Sequence, residues 1–570
     1  MSMKNTYIGS ADGNHGKIKV SVTVLDDEIT DIEILNHEET AGISDSAFKK
    51  TIQKIIEQQS VKVDAISGAT VTSNSVKDAV QSAVSKIENY DHEFEKEKAA
   101  QESLADAPLK TKKYEKTVND SIEWDQSAEF VIVGAGVAGL SAAIEAADLG
   151  FEDILLLEKL DLLGGSAFVS AGIMGGYDTE ITRELGIDID PEEIYEEQMA
   201  EKKYKLDPEL TKLTIDKSGE TIDWLINNIG VPFNPEVGAM DGYGTVEAMH
   251  TVKDGGAGMR SAYEQALEDR PEIELLTATK SKELIVEDGK VIGVKAEQDG
   301  KIIWIKSEAV LLTTGGYSSN YELFSKAHPA NSVFQAANYP WSTGDGLIMA
   351  TEIGAGAINL DQVQAYLRDY EDPRSQSPYL YNIFVGMDGK RFMDEKRTAQ
   401  TYNQENRDAV IEQTGKDGTD YFWSIADQAT LNRMDIGETE SEREAVIVAD
   451  SLDELAKAMV VDEEGLRETV ENWNRMVENQ EDSEFGRTKM LMPIVKAPYY
   501  GLKTTLFPSV THGGITKNKK AEVTKIDGEV IPGLYAAGEL TTVTNSNGYT
   551  ISNSITFGRI AAQSAYEYTK

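Results

Sequence analysis

Cysteine is absent from all 570 residues, and that absence removes several chemistries together. No disulfide, thiolate-held Fe–S cluster, CxxCH haem attachment or lipid-anchored cysteine can form. Long apolar runs are missing too. Hydrophobic residues make up 40% of the chain, yet no run nears the ~18 residues that a membrane-spanning helix needs. Positive charge is scarce: 98 Asp and Glu stand against 55 Lys and Arg, for a net charge of −43. Such a surface opposes nucleic acid and anionic membranes, so neither is expected as a partner. It says little about a small substrate, because a buried site feels its local charges first. Histidine is rare as well. His15, His37, His92, His250, His328 and His512 are the six, and their spacing fits no metal-ligand pattern, so no metal site is expected. The opening residues, MSMKNTYIGSADG, carry no hydrophobic signal region, which makes a soluble, cytoplasmic protein the expectation.

Glycine, by contrast, is present in patterned positions. Residues 130–133, FVIV, read as a buried strand that runs into Gly134-Ala-Gly136-Val-Ala138-Gly139. An Ala-rich helix follows, then a second buried strand at 154–157, ILLL, ending in Glu158 and Lys159. In such a βαβ unit the glycines do separate jobs. Gly134 makes the tight turn, Gly136 lets a pyrophosphate approach the backbone, and Gly139 packs helix on strand. The helix N-terminus holds the phosphates, and Glu158 is placed to accept from ribose hydroxyls. Further glycine-rich loops suit close approach by a flat ring: Gly164-Gly165-Ser166, Gly172-Ile-Met-Gly175-Gly176 and Asp254-Gly-Gly-Ala-Gly258. Residues 283–312 show three strand-like runs separated by Asp288-Gly289 and Asp299-Gly300, both hairpin signals. They lead to Thr313-Thr314-Gly315-Gly316 and Thr343-Gly344-Asp345-Gly346, and near the C-terminus to GLYAAGE ending at Glu539 and to Ser554-Ile555.

The first 88 residues form a separate pattern. Ile18, Val20, Val22 and Val24 alternate as a half-buried strand, with Ile29, Ile32 and Ile34 as its partner. Phe48, Ile52, Ile55 and Ile56 fall on one helical face, and Val76, Val80, Val84 and Ile87 on another. Between them DAISGATVTS, at 64–73, reads as a polar turn before a helix N-terminus. Residues 89–125 are charged and weakly periodic, a linker with some helix.

The DAISGAT stretch resembles the flavinylation motif of FMN-binding domains. The resemblance implies FMN attached to Thr70 by a phosphoester bond, beside Ser67, Gly68 and Ala69, and a flavin transferase that installs it. GxGxxG…E, GGSA, TTGG, TGDG and GLYAAGE, in this order, resemble the fumarate reductase/succinate dehydrogenase flavoprotein family. With the SGAT module in front, the whole chain resembles that family's soluble FMN- and FAD-containing reductases. The implied fold is α/β: a Rossmann-like FAD-binding domain with an inserted α+β clamp domain, plus an N-terminal α+β FMN-binding domain. The implied boundaries are 1–88 for the FMN domain, 89–125 for the linker, 126–360 and 507–570 for the FAD domain, and 361–506 for the clamp. Residues 451–478, helical by periodicity, fall in that clamp. Non-covalent FAD is implied across Gly134, Gly136, Ala138, Gly139, Glu158, Lys159, Gly165, Ser166, Gly172, Thr314, Gly315, Asp345, Glu539, Ser554 and Ile555. Without cysteine, electrons must reach it through the second flavin or a soluble donor.

The chain departs from the family where fumarate would be held. The family's QAH histidine meets Tyr366, its HHTMGG motif meets Ser509-Val510-Thr511-His512-Gly513-Gly514, and its NRLGGN arginine meets Asn545. Ala399 falls at the spacing of the proton-donating arginine, with Arg397 and Arg407 nearby. A desolvated carboxylate without its guanidinium partner costs about 3–5 kcal/mol, so dicarboxylate turnover is not expected. Tyr366, Tyr370, Tyr379, Tyr381, Tyr402 and Tyr549, with Trp341 and Phe384, suggest an aromatic-lined pocket instead, about half of these tyrosines being ordinary core or surface residues. Tyr366 is the first choice for the proton donor, Tyr402 the second and Arg397 the fallback, while His512, Asn545 and Tyr549 are candidate substrate contacts. The expected function is flavin-dependent reduction of an activated C=C bond in a non-dicarboxylate of cinnamate, vinylphenol, enone or urocanate type. Electrons would pass from FMN to FAD, supplied by a flavin reductase or NADH oxidoreductase. Alternatives are fumarate reductase proper, a ketosteroid-dehydrogenase-like flavoenzyme, and a flavin electron carrier.

Overall fold

The computed structural model describes residues 4–12, 17–25, 28–36, 43–58, 61, 70–84, 122–201, 206–239, 246–320, 322–323, 340–360, 362–370, 383–395, 404–433, 446–488, 491–542 and 548–570. The chain divides into two compact units, Met1–Ala107 and Pro108–Lys570, and the division falls inside the charged 89–125 stretch. Residues 89–121 of that stretch lie outside the described residues.

In the smaller unit, strands β1 (Lys4–Asp12), β2 (Lys17–Leu25) and β3 (Glu28–Asn36) form an antiparallel sheet in that order. Alternation along β2 buries Ile18, Val20, Val22 and Val24 on one face. Ile29 and Ile32 of β3 are three apart, so plain alternation would put them on opposite faces. A bulge resolves this: Thr23 pairs with Asp31 and Val24 with Ile29, which leaves Thr30 as the extra residue. Both isoleucines then reach the core. Helices α1 (Ile43–Gln58) and α2 (Thr70–Val84) close over it with Phe48, Ile55, Val76, Val80 and Val84. Ile87 lies outside the described residues.

The larger unit is built on a six-stranded sheet. Strand β4 (Phe130–Val133) feeds helix α3 (Val137–Leu149), which returns to β5 (Ile154–Leu157). Next come β6 (Ile273–Leu276), then the meander β7 (Thr279–Glu287), β8 (Lys290–Gln298) and β9 (Lys301–Lys306), then β10 (Ala309–Leu312). Both Asp-Gly turns of the meander take left-handed φ at each position, 50° and 78° at Asp288-Gly289 and 50° and 75° at Asp299-Gly300. Helix α4 (Asp345–Glu352) follows, and after a second, antiparallel sheet the chain returns through Glu522–Thr524 and Val530–Ala536. The sheet order is β6-β5-β4-β10, then Val530–Ala536, then Glu522–Thr524 at the edge. All pairs are parallel except the last. Every residue of β4, β5 and β10 is buried, as expected of parallel strands covered on both faces. Helix α3 and the C-terminal helix Thr550–Thr569 pack on one face, and the meander and α4 on the other.

The antiparallel sheet contains β11 (Val363–Asp369), β12 (Ile383–Val385), β13 (Phe422–Asp427), β14 (Val446–Ala449) and the long β15 (Tyr499–Thr511). Its order is β11-β15-β13-β12, with β14 also pairing β15. Residues 451–478, read as one helical stretch, form two helices, Leu452–Met459 and Glu463–Asn479. Val460 ends the first in a left-handed conformation, and Asp462 caps the second by accepting from the Gly465 N–H at 2.6 Å. Beneath them lies a buried ion cluster. Arg391 donates to both oxygens of Glu395 at 2.8 Å and to Asp482 at 2.8 Å, and Arg487 donates to Glu395 at 3.2 Å. Burial works against the Arg391 charge, but its bonds to Glu395 and Asp482 outweigh it and raise the guanidinium above its ordinary value. Burial also opposes the Asp482 charge, yet the bonds from Arg391 hold that carboxyl low.

Candidate functional site

A long cleft opens where β4, β5 and β10 end. Its wall includes Gly134, Gly136, Ala138, Glu158, Lys159, Gly165, Ser166, Gly172, Thr314, Gly315, Asp345, Glu539 and Ser554. Two glycines there are fixed by sterics. A Cβ on Gly134, whose φ is 109°, would lie 2.5 Å from the Thr313 carbonyl oxygen, and one on Gly139 would lie 2.0 Å from the Gly134 oxygen. Gly139 therefore packs helix against turn and does not reach the wall. Ile555 is likewise buried behind it. The N-terminus of α3 has no side-chain cap at Gly136, and Gly136, Val137 and Ala138 all face the cleft. Uncapped N–H groups at the positive end of a helix suit a pyrophosphate. Glu158 is buried at the tip of β5; its carboxylate accepts from the Ala135 N–H at 2.9 Å and the Leu160 N–H at 2.8 Å. The cleft thus has the glycine cradle, open helix end and terminal acid that a dinucleotide needs.

Two polar clusters complete the wall. Lys159 Nζ donates to the Trp341 carbonyl at 2.6 Å, Thr343 Oγ1 at 2.7 Å and Asp345 Oδ2 at 2.7 Å, and Lys280 Nζ meets Asp345 Oδ1 at 3.0 Å. Burial would push the Asp345 carboxyl up, but the bonds and charge of Lys159 and Lys280 hold it below its ordinary value. Glu539 is the second. Its Oε1 accepts from the Thr511 N–H at 2.9 Å and the Thr511 hydroxyl at 3.1 Å, while loss of hydration pushes the carboxyl up to about 7. Ser509 and Val510, at the end of β15, line the cleft beside it. Thr279, Lys280, Ser281 and Trp341 also stand on the wall, and sequence reasoning had not placed them on the cofactor cleft. One signal was available. Thr279 and Ser281 are polar residues at buried, alternate positions of β7.

The expected aromatic pocket is not assembled by the described residues. Trp341 belongs to the dinucleotide cleft. Phe384 packs in the core with Phe422, ring centroids 5.2 Å apart. Tyr370 bonds Asp420 at 3.1 Å and packs against Tyr421. Tyr549, expected at the substrate, is 1% exposed and belongs to the apolar cluster of Ile189, Ile194 and Met249. Its ring fills the space a Cβ on Gly175 would need, 2.3 Å away, so it faces inward. His512 does not line the cleft; its N–H donates to the Gln362 carbonyl at 2.8 Å. Arg407 is buried and donates to Asp408 at 3.3 Å. Tyr366 pairs with Phe507 across the β11–β15 ladder, and Gln364 with the cleft residue Val510; the Tyr366 side chain is outside the described atoms. Arg397, Ala399, Tyr402, Asn545, Tyr379, Tyr381, Ser67, Gly68 and Ala69 lie outside the described residues, and Thr70 is described only as the first residue of α2.

Comparison with known proteins agrees with this geometry. The description "FAD binding domain" matches residues 129–555 and "FMN-binding domain" matches residues 13–85. The chain is therefore a flavoprotein oxidoreductase with domains for FAD and FMN. More narrowly, it belongs to the fumarate reductase/succinate dehydrogenase flavoprotein family, in the group that carries an FMN-binding domain. It is 33% identical over 465 residues to "Fumarate reductase (cytochrome)" of Shewanella frigidimarina, covering 78% of each chain. It is 28% identical over 581 residues to "Urocanate reductase" of Eggerthella lenta, covering 98% of this chain and 92% of that one. A solved flavocytochrome c3 fumarate reductase in its open conformation shares the fold, with TM-score 0.67 and 24% identity over 89% of this chain and 85% of that one.

Proposed function

We propose that the protein reduces an activated C=C bond in a substrate that is not a dicarboxylate. The relatives named for urocanate and fumarate reduction support the reaction class. One observation carries the substrate argument. Among the described residues, the cations on the cleft wall, Lys159 and Lys280, are both bound to Asp345, and no described positive charge stands with Ser509, Val510 and Glu539 on that wall. A second substrate carboxylate beside Glu539 would lose its hydration without a described guanidinium in return.

FAD held in this cleft would supply hydride chemistry for the β-carbon of an activated alkene, and FMN in the small unit would supply single-electron chemistry. The chain's own residues bind, orient and protonate. The α3 N-terminus and Gly136 hold the pyrophosphate, and Glu158 takes the ribose. Thr511 holds the carboxylate of the cleft residue Glu539 in place. Tyr366 is the first candidate to give a proton to the α-carbon, with Tyr402 second and Arg397 the fallback. The substrate then sits between the FAD domain, 126–360 with 507–570, and a clamp at 361–506, and Asn545 belongs to its contacts. The small unit, 1–88, receives electrons from a flavin reductase or NADH oxidoreductase, and a flavin transferase attaches FMN at Thr70.

The test is anaerobic. Purified protein is reduced with dithionite-reduced viologen, and reoxidation is followed with urocanate, cinnamate, vinylphenol, an enone and fumarate. Fast reoxidation by a monocarboxylate or neutral alkene with none by fumarate is expected, and fast turnover of fumarate overturns the reading. Tyr366→Phe should lower turnover at least about a hundredfold with FAD retained, the size typical of a removed general acid.

A further inference from the structure

A residue can shape the cleft without lying on it. The wall can be followed away from the phosphate cradle along the C-terminal helix, Thr550–Thr569. A Cβ on Gly558 would lie 2.3 Å from the Ala138 carbonyl oxygen, and one on Gly538 would lie 3.8 Å from Ser554 Oγ. Thr550 and Ile551 come about one turn further from the cradle, roughly 5 Å along the axis. Gly548, Thr550, Ile551 and Ile173 all line the cleft. None of the four carries a charge, and both isoleucines are apolar. This end suits an uncharged, carbon-rich group.

Behind it, two segments far apart in sequence lock together. The Gly175 N–H donates to the Gly548 carbonyl at 2.7 Å, and Ser552 Oγ donates to the Gly175 carbonyl at 2.9 Å. The Tyr549 ring lies against the bare Cα between those two bonds. A Cβ on Gly175 would be 2.3 to 2.7 Å from three of its ring atoms. Ile173 packs against the apolar cluster that contains Tyr549, and it also faces the cleft. The Tyr549 hydroxyl is buried with no hydrogen-bond partner among the described residues. Fit, and not a bond from the phenol, holds the ring in place.

We propose that Tyr549 and Gly175 form a size lock: it fixes Ile173 and the turn at 548–551, and so limits the bulk of the apolar group that a substrate may carry. Tyr549 touches no substrate and is a positioning residue. The inference deepens the reductase reading and rests on it. Oxidised holoenzyme is titrated with saturated acids of growing size, propionate, phenylpropionate and biphenylpropionate, which cannot react with it. Binding is read as a shift of the flavin absorbance, and the matching alkenes are then compared by reoxidation. Tyr549→Phe should keep the wild-type size limit, because the hydroxyl holds nothing. Tyr549→Ala should favour the biphenyl acid over propionate at least about tenfold more than the wild type does, the scale of a hydrophobic pocket's discrimination. Ile173→Ala, which leaves the lock intact, should move the limit the same way. In thermal unfolding, Gly175→Ala should lower the midpoint, and adding Tyr549→Leu should recover part of that loss. A wild-type size profile in folded, FAD-loaded Tyr549→Ala would overturn the proposal, as would strictly additive losses in the Gly175→Ala/Tyr549→Leu pair. Wild-type enzyme that binds none of the acids and is reoxidised by none of the alkenes would instead strike at the reductase reading itself.

Discussion

The parallel sheet β6-β5-β4-β10 meets the cleft with main chain, and the antiparallel sheet β11-β15-β13-β12 meets it with side chains. At the tips of β4 and β10 the working parts are glycine turns, an uncapped helix end and carbonyl oxygens, with Glu158 as the fixed carboxylate. At the end of β15 they are Ser509 and Val510, with the Thr511 hydroxyl behind them holding Glu539. The first arrangement tolerates almost no change, because a Cβ at Gly139 has only 2.0 Å to the Gly134 oxygen. The second can exchange one polar side chain for another on an unchanged ladder. A family can therefore keep its cofactor and change its substrate.

Substitutions can break or sharpen that contrast. Gly139→Val should abolish FAD retention, measured as FAD released on acid precipitation per mole of protein. Retained FAD would mean that the turn can shift and is less fixed than its geometry indicates. Arg391→Ala attacks the antiparallel sheet's support, leaving Asp482 buried without its guanidinium and Glu395 with Arg487 in place of two arginines. It should cost about 3–5 kcal/mol in denaturant unfolding while the FAD absorbance spectrum of the remaining native fraction stays unchanged.

Lys517 offers a change of opposite sign. Its amine is buried over the Phe557 ring, 3.4 Å from the centroid, with no hydrogen-bond partner among the described residues, and burial pushes it well below its ordinary value. The unfolded chain binds a proton that the folded one refuses, so stability rises with pH through the window below 10.5 and falls as the solution is acidified. Lys517→Met should raise the thermal midpoint of the large unit and flatten that slope.

The smallest effect belongs to Glu539. With its carboxyl moved from 4.5 to about 7, the folded FAD-free protein holds a proton that the unfolded chain has released. That contribution is complete below pH 4.5 and is lost as the pH rises through about 7. Glu539→Gln should remove this portion of the pH dependence, seen in paired unfolding curves of FAD-stripped protein. An unchanged slope would show that the carboxyl is better hydrated than its position implies.

Much of the cofactor side could be read in advance because its signals are local. A buried strand, three glycines and a terminal acid lie within 130–158, and each Asp-Gly pair announces its own hairpin. The aromatic side could not be read, because a tyrosine's role depends on which way it faces. Tyr549 follows Gly548, which lines the cleft, yet Gly175, far earlier in the chain, leaves the space that draws its ring inward. Trp341 was assigned to substrate because nothing local links it to Glu158; the link runs through Lys159. In the small unit, Thr30 is invisible as a bulge until Ile29 and Ile32 are both required to be buried.

The sheet order also bears on when the flavin can be loaded. Phe130–Val133 sits beside Ala309–Leu312, which sits beside Val530–Ala536, and Glu539 and Ser554 complete the wall. A ribosome that has delivered only the fingerprint has made the phosphate cradle but not the chamber around it. FAD must wait for the last strand, so nascent chains arrested before that point should emerge without it.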